Sequence, residues 1–115
     1  MDEHREMKVT PDKYLTYRYA GASGDYNPIH LDDEFAKAVG LPGRILHGLW
    51  TMAQVARAQG DGLQLQELSV EFRGVGLPEA EITVTSTPLE DGGIRCEAEQ
   101  NGRKIIKNGR AVLRI

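Results

Sequence analysis

The chain reads as an α+β protein, with helices gathered in its first half and an antiparallel sheet in its second. Three observations predict this. Apolar residues keep a helical spacing as far as Gly60-Asp61-Gly62 and alternate after it. Leu49, Trp50, Met52, Ala53, Val55 and Ala56 leave few polar positions in one segment, as in a buried helix. Asn101-Gly102 is a strong two-residue hairpin turn. With 115 residues and neither repeat nor long linker, one domain over 1–115 is expected.

Taken in order, Thr10-Pro11-Asp12 looks like a helix start, with Thr10 as cap and Pro11 in the first turn. Tyr14, Leu15, Tyr19 and Ala22 supply an apolar stripe that ends at Gly21 to Gly24. Asp32 caps a second short helix, Asp33 and Glu34 favour its first turn, and Phe35, Ala36 and Val39 form its inner face. Gly40 and Pro42 end it. A third helix starts near Gly48 and should be the central one. Leu63 and Leu65 then share one parity and Leu68, Val70 and Phe72 the other, which a bulge near Gln66-Glu67 reconciles. Ile82 and Val84 mark a second strand; Ile94, Cys96 and Ala98 mark a third. From Arg103, the residues Ile105, Gly109, Ala111, Leu113 and Ile115 share a face, so Asn108-Gly109 is no second hairpin and Gly109 is a bulge or a close approach. About four long strands on one helix leave a face or edge needing cover, for which a dimer is the simplest answer.

A net charge of −3 gives no reason to expect a nucleic-acid partner, and no apolar run approaches the roughly 20 residues of a membrane span. The opening Met-Asp-Glu-His-Arg-Glu is polar, unlike a secretory leader, and Cys96 is the single cysteine. Both fit a cytoplasmic protein.

The chemistry concentrates in Ser23-Gly24-Asp25-Tyr26-Asn27-Pro28-Ile29-His30-Leu31-Asp32, followed by Leu46-His47-Gly48. Pro28 removes a backbone donor and turns Asn27 away from helical angles, so the stretch is expected to be an ordered loop. On such a loop a carboxylate and an imidazole five residues apart can converge on one water molecule, as an acid/base pair must. Alone, an Asp in a Ser-Gly-Asp turn is usually a turn residue and a lone His a structural one. Asp25, His30, His47 and Asp32 lack a compact metal-ligand spacing, so no metal is expected. Ser23 and Thr51 lack a nucleophile setting.

Together, the segment Tyr19 to Asp32, Phe35-Ala36 and Ile45-Leu46-His47-Gly48-Leu49 resemble the MaoC-like, hydratase-2 branch of the hotdog fold. Weaker echoes are Val70-Glu71-Phe72-Arg73, Asn101-Gly102-Arg103 and Gly109-Arg110-Ala111. The resemblance implies a five- or six-stranded antiparallel sheet wrapped around a long central helix, paired into a dimer. It implies reversible addition of water to trans-2-enoyl thioesters of coenzyme A or acyl carrier protein, giving (3R)-3-hydroxyacyl thioesters. That is an enoyl-CoA hydratase or 3-hydroxyacyl dehydratase of fatty acid metabolism, a hydro-lyase without a cofactor. Asp25 and His30 match the family's catalytic pair, and Gly48 the residue whose N–H polarises the thioester carbonyl. The chain departs from the family where Leu77-Pro78-Glu79-Ala80 replaces a Pro-Gly-Asp-like turn, which bears on loop shape rather than chemistry.

Around these three residues, Asn27, Tyr26, Trp50 and Thr51 are assigned to substrate binding. Asn27 is foremost a loop organiser whose amide fixes the backbone. Trp50 either fills the core or shortens the acyl tunnel; Tyr14 and Tyr26 are weaker lining candidates. His47 reads as a structural hydrogen-bonder. The basic run Arg103, Lys104, Lys107, Arg110 and Arg114 is a solvated strand face, or else a receiver of coenzyme A phosphates or an acidic carrier protein. The competing functions are a hotdog thioesterase, a non-catalytic acyl-binding subunit and one chain of a heteromeric 3-hydroxyacyl-ACP dehydratase.

Overall fold

The computed structural model of the protein describes residues 4–60 and 64–114. Strand β1 (Arg5–Val9) precedes helix α1 (Leu15–Ser23), a 3₁₀ turn (Pro28–His30), α2 (Asp33–Ala38) and α3 (Gly48–Arg57). Strands β2 (Leu65–Phe72), β3 (Ile82–Pro88), β4 (Ile94–Gln100) and β5 (Arg103–Leu113) follow. They form one antiparallel sheet in the order β1-β3-β4-β5-β2. The α+β layout of the sequence stands, and the five strands agree with the family resemblance, although the apolar pattern alone marked only four. β1 escaped because only Met7 and Val9 turn toward the core, on an edge strand otherwise polar. Gly62, Leu63, Ile115 and the opening Met-Asp-Glu lie outside the described residues.

The core lies between α3 and the sheet and holds Leu46, Val55, Ile82, Val84, Cys96, Ala98, Ile105, Ile106 and Ala111. Ile82, Val84 and Ser86 alternate inward along β3. Burial also pushes the Cys96 thiol up to about 11, so it stays protonated and inert.

Three local expectations give way. The first helix starts at Leu15, not at Thr10, because the Asp12 carboxylate takes the Tyr14 N–H at 2.8 Å and stops the chain in a turn. Its buried residues are Thr16 and Ala20, while Tyr14 is exposed. In α2 only Ala36 is buried; Phe35 and Val39 face outward. Asp32 does cap that helix, accepting from Glu34 N at 2.9 Å and Phe35 N at 3.2 Å. The expectation that α3 is long and buried all round also fails. It has 10 residues and lays only one face on the sheet, burying Thr51, Gln54 and Val55 while Leu49 stays 68% exposed.

The turn and bulge expectations hold. Asn101 (φ 54°) and Gly102 (φ 75°) make the left-handed pair of the β4–β5 hairpin. Two residues of β2 stand opposite one of β5 at Gln66. β5 runs through Asn108-Gly109 unbroken. Asn108 has φ 52°, and both neighbouring strands skip one β5 residue there. A side chain on Gly109 would put its Cβ 2.6 Å from the Cys96 carbonyl oxygen, so the glycine is a close approach. A second shift, between Ala98 and Glu99, lets consecutive Ile105 and Ile106 both be buried.

Candidate active site

Gly24, at φ 80°, ends α1 with its N–H on Ala20 O at 2.8 Å and throws the chain into the loop. Short-range bonds then set every step. Asp25 N–H donates to Ser23 Oγ, Asn27 N–H to Asp25 Oδ1, and Ile29 N–H to Asn27 Oδ1, each at 3.2 Å. Asn27 thus caps the 3₁₀ turn that carries His30, the organising part the sequence suggested. Residues 29–30 are clasped to the chain entering α3: Ile45 N–H donates to Ile29 O at 2.9 Å, and His30 Nδ1 lies 2.8 Å from Ile45 O. A carbonyl only accepts, so Nδ1 carries the hydrogen and a neutral His30 presents the Nε2 lone pair.

That lone pair faces the Asp25 carboxylate. Nε2 and Oδ2 are 3.8 Å apart, with the imidazole 9% and the carboxylate 52% exposed. The gap is too long for a hydrogen bond but suits one oxygen lying about 2.8 Å from each. His47 stacks on His30 at 3.9 Å between centroids and 20° between planes. Its Nε2–H donates to the Asp25 carbonyl at 3.1 Å, confirming it as a hydrogen-bonder, and Tyr19 leans on its other side. The nearest donor atoms of Asp25, His30 and His47 fall within 4.8 Å of one another. Stacked rings, however, keep their in-plane lone pairs in two nearly parallel planes, whereas a metal needs them aimed at one point.

Gly48 opens α3, and its N–H meets no acceptor among the described residues. It therefore offers a free donor at the positive end of a helix. Gly48 and Phe72 border two hollows. One, of about 160 Å³, adds His30, Leu46, Thr51, Val75 and Ile105. The other, of about 310 Å³, adds Tyr19, Ser23, Asp25, His47 and Leu49. Asp25, His30 and the Gly48 N–H thus meet where the two join. A Cβ on Gly48 would come within 3.2 Å of the Phe72 ring, so glycine keeps that junction open.

Of the residues assigned to substrate binding, Thr51 lines the smaller hollow and Asn27 shapes the loop. Trp50 packs against the core and lines neither hollow, and Tyr26 is 62% exposed, away from both. The sequence reading overlooked Phe72, Val75 and Ile105 as walls. Phe72 carried a signal, since it stands in the Phe-Arg echo; Ile105 reaches the site only through a register shift.

Residues 1–109 match the family model described as the MaoC like domain. The chain is 36% identical over 108 residues to a fatty acid synthase subunit beta of Aspergillus oryzae, covering 89% of this chain and 5% of that one. It is 38% identical over 91 residues to the peroxisomal enoyl-CoA hydratase 2 of Arabidopsis thaliana, covering 74% of this chain and 28% of that one. This chain therefore spans less than a third of either relative. The crystal structure of a MaoC-like dehydratase from Phytophthora capsici superposes with a TM-score of 0.87 at 28% identity, over 95% of this chain and 39% of that one.

Proposed function

Because this chain belongs to the MaoC-like family, a hotdog fold, we propose that it reversibly adds water to trans-2-enoyl thioesters. One observation carries the reading: the Asp25 carboxylate and His30 Nε2 stand 3.8 Å apart beside the unpaired Gly48 N–H. Both groups accept hydrogen, so a water between them donates one hydrogen to each and turns a lone pair toward Cβ of the substrate. The new bond joins the water oxygen to Cβ, and the pair receives one proton. The C=C electrons shift onto the thioester oxygen, where the Gly48 N–H and the helix end stabilise the charge. The proton held by the pair then passes to Cα, completing addition of H and OH. Such acid–base assistance is worth about 10²–10⁴ in rate.

The (3R) configuration and the place in fatty acid metabolism rest on the family resemblance. A second copy covering the exposed Leu49, Phe72 and Val75 is part of the same proposal. The radius of gyration, 14.8 Å, exceeds the roughly 13 Å of a compact domain near this size, which agrees with an open face awaiting cover.

Mixing purified protein with crotonyl-CoA tests this: the conjugated absorbance should fall, and chiral analysis should give the (3R) product. Asp25→Asn and His30→Ala should each lower kcat by about 10²–10⁴ with circular dichroism unchanged. Full activity in both variants removes the site assignment, and release of free thiol instead of hydration makes the protein a thioesterase.

A further inference from the structure

We propose that His47 is a positioning residue for the hydration site: its imidazole keeps Asp25 and His30 in register with each other and with the Gly48 N–H. This role rests on the hydration reading and adds to it a side chain that touches no reacting atom.

The turns of the loop over residues 23–30 shape it from inside, but they do not set where it stands relative to α3. Asp25 shows this atom by atom. Its N–H donates to Ser23 Oγ and its Oδ1 takes the Asn27 N–H, both within the loop, while Oδ2 faces His30. Its carbonyl oxygen takes the Nε2–H of His47 at 3.1 Å. Among the described residues this is the one hydrogen bond that ties Asp25 to a residue outside the loop.

The face of the same ring lies on His30, 3.9 Å between centroids. A single bond from His30 Nδ1 to Ile45 O leaves the plane of that imidazole able to rock. A ring packed flat against it stops the rocking, which would swing Nε2 away from Asp25 Oδ2. Tyr19 of α1 backs the other face of His47 at 4.8 Å, so the ring is gripped from both sides and is 3% exposed. The His47 backbone is anchored in turn, its carbonyl oxygen taking the N–H of Trp50 at 3.1 Å and of Thr51 at 3.3 Å. Gly48 is the next residue. One side chain thus sets the distance from the Asp25–His30 gap to the donor at the helix end.

The position asks for a thin flat ring with an N–H on its edge, and imidazole supplies both. Phenylalanine has the ring without the donor. Glutamine carries an N–H the same number of bonds from its Cα, without the ring. Misplacing reacting groups by about 1 Å costs on the order of 10² in rate, so small shifts of either contact should be visible in kcat.

The experiment separates the two contacts by measuring kcat and KM for crotonyl-CoA in three variants, with circular dichroism and thermal unfolding beside them. His47→Phe and His47→Gln should each lower kcat about tenfold, and His47→Ala about a hundredfold, with KM within about twofold of the parent. The Cε1–H resonance of His30 should stay under its neighbour's ring current in His47→Phe and move downfield in His47→Gln. In a protein already carrying Asp25→Asn and His30→Ala, His47→Ala should lower kcat no further, because nothing remains for it to position. Losses that multiply in full in that background overturn the proposal, as does a kcat untouched by the Phe and Gln substitutions. So does a KM that rises while kcat holds. If His47→Ala fails to fold, the Phe and Gln proteins still decide. Absence of hydration in the unaltered protein removes the parent reading and this role with it, whereas hydration indifferent to His47 removes the role alone.

Discussion

The loop that carries Asp25 and His30 and the β2–β3 connection that walls the cavity are both irregular, yet they are held in opposite ways. In the loop, Ser23, Asp25 and Asn27 each accept an N–H from two residues further on. In the connection, Leu77 and Ala80 are tied to Gln100, 23 and 20 residues away, and Gly76 O takes the N–H of Leu46. The first is a string of self-sufficient turns. The second has its shape only when the sheet is complete. The proposed catalytic groups thus stand on locally determined backbone, and the pocket beside them is a product of tertiary structure.

The contrast can be broken from either side. Gln100→Ala should have the largest effect on stability, about 3 kcal/mol by urea unfolding, because it strips three half-buried backbone groups of their partner. Its KM should rise more than its kcat falls, since only the wall loosens. Gly109→Ala should cost about 2 kcal/mol, as its new methyl meets the Cys96 carbonyl within the sheet; calorimetry would register it as a lower Tm with hydration kinetics retained. Asn27→Ala should invert that pattern. It should cost only about 1 kcal/mol, the worth of a cap, while kcat falls roughly tenfold as the Asp25–His30 spacing relaxes.

What the sequence disclosed follows the same division. Asp32 as a cap, the Asn101-Gly102 turn and the Gln66 bulge are decided within a few residues, and each was legible. The convergence of Asp25 and His30 was legible for the same reason, because Gly24, Asn27 and Pro28 shape the loop from inside. Trp50 takes the core-filling alternative and Tyr26 lines neither hollow, because nothing local states which way a side chain leaves its element. Helix α3 looked buried all round because composition counts apolar residues without knowing how much sheet is there to cover them. Ile105 went unnoticed as a wall because a register shift, absent from simple alternation, turns it inward.

The smallest expected effect is at the edge of the loop region. Hydrogen bonds from the Arg18 guanidinium, and then from the Tyr14 N–H, hold the Asp12 carboxyl down at about 2, below its ordinary 3.8. The stabilisation is present above the ordinary value and lost as pH falls through about 2. Thermal unfolding of Asp12→Asn should therefore sit slightly below the parent at neutral pH and converge with it in acid, and a gap that persists below pH 2 would contradict the ion pair's role.

The double clasp between residues 29–30 and Ile45 has a spectroscopic consequence. The Ile45 amide hydrogen lies on Ile29 O while its carbonyl orients the imidazole, so the backbone of one residue registers both the loop and the approach to α3. Its hydrogen–deuterium exchange should slow when the proposed thioester occupies the cavity and quicken whenever His30 swings away, giving a single backbone resonance that reads out whether the imidazole is in place.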